Sequence, residues 1–125
     1  MDNINITTSH IDYNSAMEKL AASLKLYKII LVGFKDKYSN AYEVLISLSK
    51  DNRYNDSRIL VHSIKGVCGN LGAFRLQDLA KSLEKSYKNK DNIHIQLLEE
   101  FSIELKLVIE DINRLLECIN KIYTS

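Results

Sequence analysis

Apolar residues in this chain recur at steps of three and four along most of its length. Leu24, Tyr27, Ile30, Leu31, Phe34, Tyr38, Ala41, Leu45 and Leu48 trace one stripe, the spacing that 3.6 residues per turn places on a single helix face. The period returns as Leu76, Leu79, Ala80 and Leu83, and again as Leu97, Phe101, Leu105, Val108, Ile112, Leu115 and Ile119. A shorter amphipathic stretch, "YNSAMEKLAASL", follows Asp12, which is suited to cap a helix; Ser23 is placed to cap the next. That second helix is expected to run to about Leu48, with Gly33 interrupting it without ending it.

Between the stripes lie turn-forming clusters. "SKDNRYND" at 49–56 breaks the pattern, and Asn55 or Asp56 is the expected cap of a third helix reaching about Cys68. "GNLG" at 69–72 is read as its end, so Gly69 and Gly72 are expected at a helix terminus and turn. A fourth helix spans about 73–87, and "KNKDN" forms a polar loop with Asp91 or Asn92 as cap for a fifth over about 93–122. No run with strand period competes. Short connections between long amphipathic helices favour antiparallel neighbours. The predicted fold is all-α, an antiparallel up-and-down four-helix bundle with a short additional N-terminal helix over residues 11–125, preceded by a flexible arm at 1–10.

Composition narrows the function classes. Zero proline among 125 residues suits long uninterrupted helices. A net charge of +1 gives no general attraction to nucleic acid. No apolar run approaches the roughly 18 residues of a membrane span, so no membrane contact by this segment is expected. Cys68 and Cys118 form no CxxC pair and are expected as reduced thiols in or near the core. "MDNINITTSH" lacks the basic start and apolar stretch of a signal peptide, which makes the cytoplasm the expected compartment.

Candidate chemistry sits in "RILVHSIKGVCGNLGA", residues 58–73. On a helical projection with His62 at 0°, Leu60, Ile64, Val67 and Cys68 fall between about 140° and 240°, the expected buried stripe. Arg58, Lys65, Gly66 and Gly69 lie within about 60° of the histidine. His62 is therefore expected to project outward, flanked by two cations and two residues without side chains. A mid-helix glycine costs roughly 1 kcal/mol relative to alanine. On an exposed face that cost makes sense when something must come close to the helix. An exposed imidazole is a competent nucleophile near neutral pH. A phosphoryl group accepted there needs a nearby cation, which Lys65 supplies, and space, which Gly66 supplies. His62 has no second ligand at i+3 or i+4, so no metal site is expected. His10 and His94 have surface or satisfied half-buried environments as their expectation.

The block His62-Ser63-Ile64-Lys65-Gly66, continuing to Gly69-Asn70-Leu71-Gly72-Ala73, resembles the signature of the histidine phosphotransfer (HPt) domain. "LQDLAKSLE" at 76–84 is similar to that family's next helix, and "LYKIILVGFKDKY" at 26–38 to its long second helix. The resemblance covers roughly residues 11–115. Val67 and Cys68 depart from it, standing where the family often has Ser or Ala. The resemblance implies that His62 carries a phosphoryl group on Nε2, that Lys65 neutralises it, and that Gly66 leaves room for it and for the partner. It implies that Glu84 accepts a hydrogen bond from the other ring nitrogen. It further implies docking of response-regulator receiver domains around the histidine, with Arg58, Ile59 and Gly69 as interface candidates.

The expected function is relay of a phosphoryl group from one receiver aspartate to another, as a monomeric carrier without its own ATP site or intrinsic cofactor. Mg²⁺ is expected in the receiver's acidic pocket. The chain fits a free-standing protein or a domain of a hybrid sensor histidine kinase, whose parent could be membrane-anchored. Two rivals stand beside this reading. One is a non-phosphorylatable four-helix adaptor, against which the intact His62, Lys65 and Gly66 speak. The other is a metal-binding bundle, disfavoured because inward Glu-x-x-His pairs are missing.

Overall fold

The computed structural model describes residues 8–20, 23–89 and 95–124. These form six helices: α1 (Tyr13–Lys19), α2 (Leu24–Tyr38), α3 (Ala41–Lys50), α4 (Tyr54–Leu71), α5 (Phe74–Lys88) and α6 (Ile95–Thr124). Both α2 and α3 pack on α4 and α6, α4 packs on α5, and α5 on α6, while α1 lies against α4 and α2. The architecture is the expected up-and-down four-helix bundle with a short extra helix, α2 and α3 sharing one position in it. No helix among the described residues is long and apolar enough to cross a membrane. Residues 1–7 of the expected arm, the caps expected at Asp91 or Asn92, and His94 lie outside the described residues.

The core is built from the stripes the periodicity marks. Tyr27, Leu31, Phe34, Leu45, Ile64, Leu76, Leu83, Phe101, Ile112, Leu115 and Ile119 are all fully buried. Cys68 joins them, and burial pushes its thiol up to about 12, which leaves it protonated and unreactive. Asp12 caps α1, its carboxylate accepting from Ser15 N at 3.0 Å, and Ser23 caps α2 by accepting from Leu26 N at 3.2 Å. Gly33 sits mid-helix with nothing within 4 Å of an added Cβ. Gly33→Ala is therefore expected to raise stability by roughly 0.5–1 kcal/mol in urea unfolding.

Several boundaries differ from the sequence reading. The expected helix from Ser23 to Leu48 breaks at Ser39–Asn40, where Asn40 turns to φ −103° and ψ 18°. Ser39 Oγ bonds back to the Lys35 carbonyl, the competition with the helix ladder that makes Ser weak in helix interiors. The apolar stripe runs across this break, so periodicity does not register it. α4 starts at Tyr54 rather than after Asn55 or Asp56: Arg53 occupies the cap position, and Asp56 sits in the first turn paired with Arg53 Nε at 2.7 Å. α4 also runs on to Leu71 instead of stopping at Cys68, so Gly69 lies inside the helix and only Gly72 ends it, at φ +84°. Within α4, Leu60 and Val67 are only partly buried, and Val61 takes the place in the core expected of them.

Two acids stand in the core stripe of α6. Glu104 and Asp111 are buried, and the segment before α1 meets both. His10 Nδ1 lies 3.0 Å from Glu104 Oε2, and His10 N donates to Asp111 Oδ2 at 2.9 Å. Arg75 and Arg114 add cations to Glu104 and Asp111 respectively. Paired this way, the buried charges are tolerated. His10 is thus a satisfied, half-buried residue that pins the chain ahead of α1 to α6.

Candidate functional site

His62 stands on the outer face of α4, its side chain 62% exposed. The helix rotation that buries Val61, Ile64 and Cys68 leaves it no other direction. Gly66, one turn on, has nothing within 4 Å of an added Cβ, so the surface beside the imidazole is open. Ser63 turns away and donates to its own helix at Ile59 O, 3.1 Å.

Glu84 arrives from α5. Its Oε2 lies 2.5 Å from His62 Nδ1 and its Oε1 accepts from Lys65 Nζ at 2.6 Å. One carboxylate therefore bridges the ring and the ammonium, in place of a solvated pair with Lys81 or Lys88 on its own helix. The Lys65 hydrogen bond chiefly, with the His62 contact added and desolvation opposing, holds the Glu84 carboxyl below its ordinary value of 4.5. An ionised carboxylate only accepts. Nδ1 therefore carries the ring proton, and Nε2 is left with its lone pair. Lys65, read from the sequence as free to reach a group on His62, is occupied by Glu84 in this resting arrangement.

The depressed carboxyl fixes a pH dependence. A carboxyl whose folded value lies below its unfolded one stabilises the fold fully above the unfolded value, and that contribution is lost as pH falls through the folded value. Wild type is thus expected to lose stability relative to Glu84→Gln as pH falls through and below about 4.5. Urea unfolding of both proteins across that range checks it; parallel curves would contradict the assignment.

The remaining sequence candidates separate. Ile59 is 50% exposed and lies one turn before His62. Arg58 is tied down locally, its Nη2 donating to Asn55 Oδ1 at 3.0 Å. Gly69, expected on the open face, is buried instead: an added Cβ would lie 3.0 Å from Gln77 Nε2 and 3.6 Å from Lys19 Nζ. Gln77 itself escaped the sequence reading. Its Nε2 donates to the Lys65 carbonyl at 3.3 Å. The available signal was its position seven residues before Glu84, which puts both on one line of α5. Among the described residues, no group of three or more His, Cys, Asp or Glu side chains could hold a metal ion.

Against known proteins, the family model described as Hpt domain matches residues 16–119. No curated protein and no solved structure matches the chain. The match takes in α2 through α5, the site just described and most of α6. The chain belongs to the Hpt family, whose domains carry phosphoryl groups on histidine in phosphorelays and interact with the receiver domains of response regulators.

Proposed function

We propose that this protein accepts a phosphoryl group on His62 from the phosphoaspartate of one receiver domain and passes it to the aspartate of another. The observation that carries this reading is the 2.5 Å contact between His62 Nδ1 and Glu84 on an otherwise exposed imidazole. It keeps the proton on Nδ1 and leaves the Nε2 lone pair free to attack. In the transfer, an Nε2–P bond forms as the aspartyl O–P bond breaks, and the carboxylate leaves on the donor. The proton stays on Nδ1, where Glu84 balances the positive charge that develops on the ring. Lys65, one turn away, exchanges Glu84 for the phosphoryl oxygens. Mg²⁺ belongs to the receiver's acidic pocket. The chain acts as carrier, with positioning and electrostatics as its contribution to a reaction that asks little covalent chemistry of the protein.

Mixing the protein with receivers phosphorylated by acetyl phosphate in Mg²⁺ is expected to move acid-labile, alkali-stable label onto it. Absence of label with every response regulator of the source proteome would reject the relay in favour of the adaptor. Gly66 gives a second check. Gly66→Gln is expected to keep a folded bundle and to slow transfer by roughly tenfold or more, because a side chain then occupies the approach to Nε2. Unchanged transfer kinetics would remove Gly66 from the site.

A further inference from the structure

α4 and α5 form an antiparallel hairpin turning at Gly72–Ala73. Two side chains on one line of α5 cross to α4. Glu84 reaches His62 and Lys65 through their side chains, and Gln77 reaches Lys65 through its backbone carbonyl. The two lie seven residues apart, about 20° from a common line and about 10 Å along the axis. Both contacts converge on the turn of helix that carries the acceptor.

The Gln77 contact needs a bare backbone. Gly69 N–H is the group that closes the helical bond onto the Lys65 carbonyl, and at Gly69 a side chain would press on the Gln77 amide at 3.0 Å. Gly69 is buried with an ordinary helical backbone, so no turn or left-handed conformation explains a glycine there. The gap admits the amide. Besides Glu84 and Gln77, no α5 side chain donates to or accepts from α4 beside the histidine among the hydrogen bonds of the described residues. A slip of one helical turn between α4 and α5 would carry Glu84 about 5.4 Å away from Nδ1.

We propose that Gln77 is a positioning residue for His62: its amide, seated on the Lys65 carbonyl through the Gly69 gap, sets the α4–α5 register that delivers Glu84 to Nδ1. The inference rests on the reading of His62 as phosphoryl acceptor, but its test does not depend on transfer. The probe is the ring itself, in the full-length protein, by ¹⁵N–¹H correlation of the His62 nitrogens across pH. Gln77→Glu keeps the shape and removes the donor. Gly69→Ala keeps Gln77 and crowds its amide, which must shift by a few tenths of an ångström against the Lys65 carbonyl, while raising helix propensity. In both variants the Nδ1-protonated population of neutral His62 is expected to fall towards that of Glu84→Gln, with helical content unchanged by circular dichroism. Phosphorylation by phosphoramidate should slow by roughly tenfold, the order expected of a misplaced proton partner. His62 nitrogen resonances that match wild type in both variants would overturn the proposal. Failure of the acceptor reading would show differently, as label persisting in His62→Gln, and leaves the ring measurement intact.

Discussion

His62→Gln is expected to take up no phosphoryl group from a phosphorylated receiver, with the transfer rate falling by at least about 10³-fold. The variant should unfold within about 1 kcal/mol of wild type, because the ring is mostly exposed and its partner Glu84 keeps Lys65. That combination separates chemistry from folding. Among the described residues, Ser63 is bonded to Ile59 O, and His10 is held by Glu104 and Asp111 at the segment ahead of α1, so neither stands in for His62. A stopped-flow or gel-based transfer assay beside urea unfolding checks both halves. Transfer that survives the substitution would place the acceptor elsewhere.

The second large effect concerns stability. Gly72→Ala is expected to cost about 3 kcal/mol and to lower the melting temperature by roughly 10 °C. Two causes combine there. Gly72 holds φ +84°, a conformation that costs an L-residue about 1–2 kcal/mol. An added Cβ would also sit 2.3 Å from the Asp12 carbonyl oxygen, within the contact where Asp12 N donates to Gly72 O at 2.8 Å. Backbone must move on both sides, and with it buried Ile11 and the cap of α1. Gly33→Ala is the internal control, since its Cβ meets open space. A Gly72→Ala protein within about 0.5 kcal/mol of wild type would contradict this account of the turn.

These two residues show what was legible in the chain and why. His62 could be placed on the outer face from periodicity alone, because its angular distance from Ile64 and Cys68 is fixed by helix geometry. Gly72 was recognisable as a helix end. Gly69, in the same "GNLG" cluster, was not separable from it: Gln77 across the hairpin and Lys19 of α1 cover Gly69, and that is tertiary information. The break at Ser39–Asn40 was hidden by an apolar stripe that continues through it. Glu104 and Asp111 look like surface acids in sequence; their burial follows from the segment around His10 folding back on α6. Lys65 and Glu84 were each candidates, but their mutual pairing depends on the α4–α5 register, which no local pattern encodes.

The central claim is that the phosphoryl group sits on one nitrogen of one ring. Phosphorylating ¹⁵N-labelled protein with phosphoramidate and reading the ³¹P–¹⁵N coupling of the His62 ring tests it most directly. The coupling is expected at Nε2, with Nδ1 still protonated against Glu84 and the signal lost on mild acid. Coupling at Nδ1, or a phosphoryl group on any residue other than His62, would contradict the account.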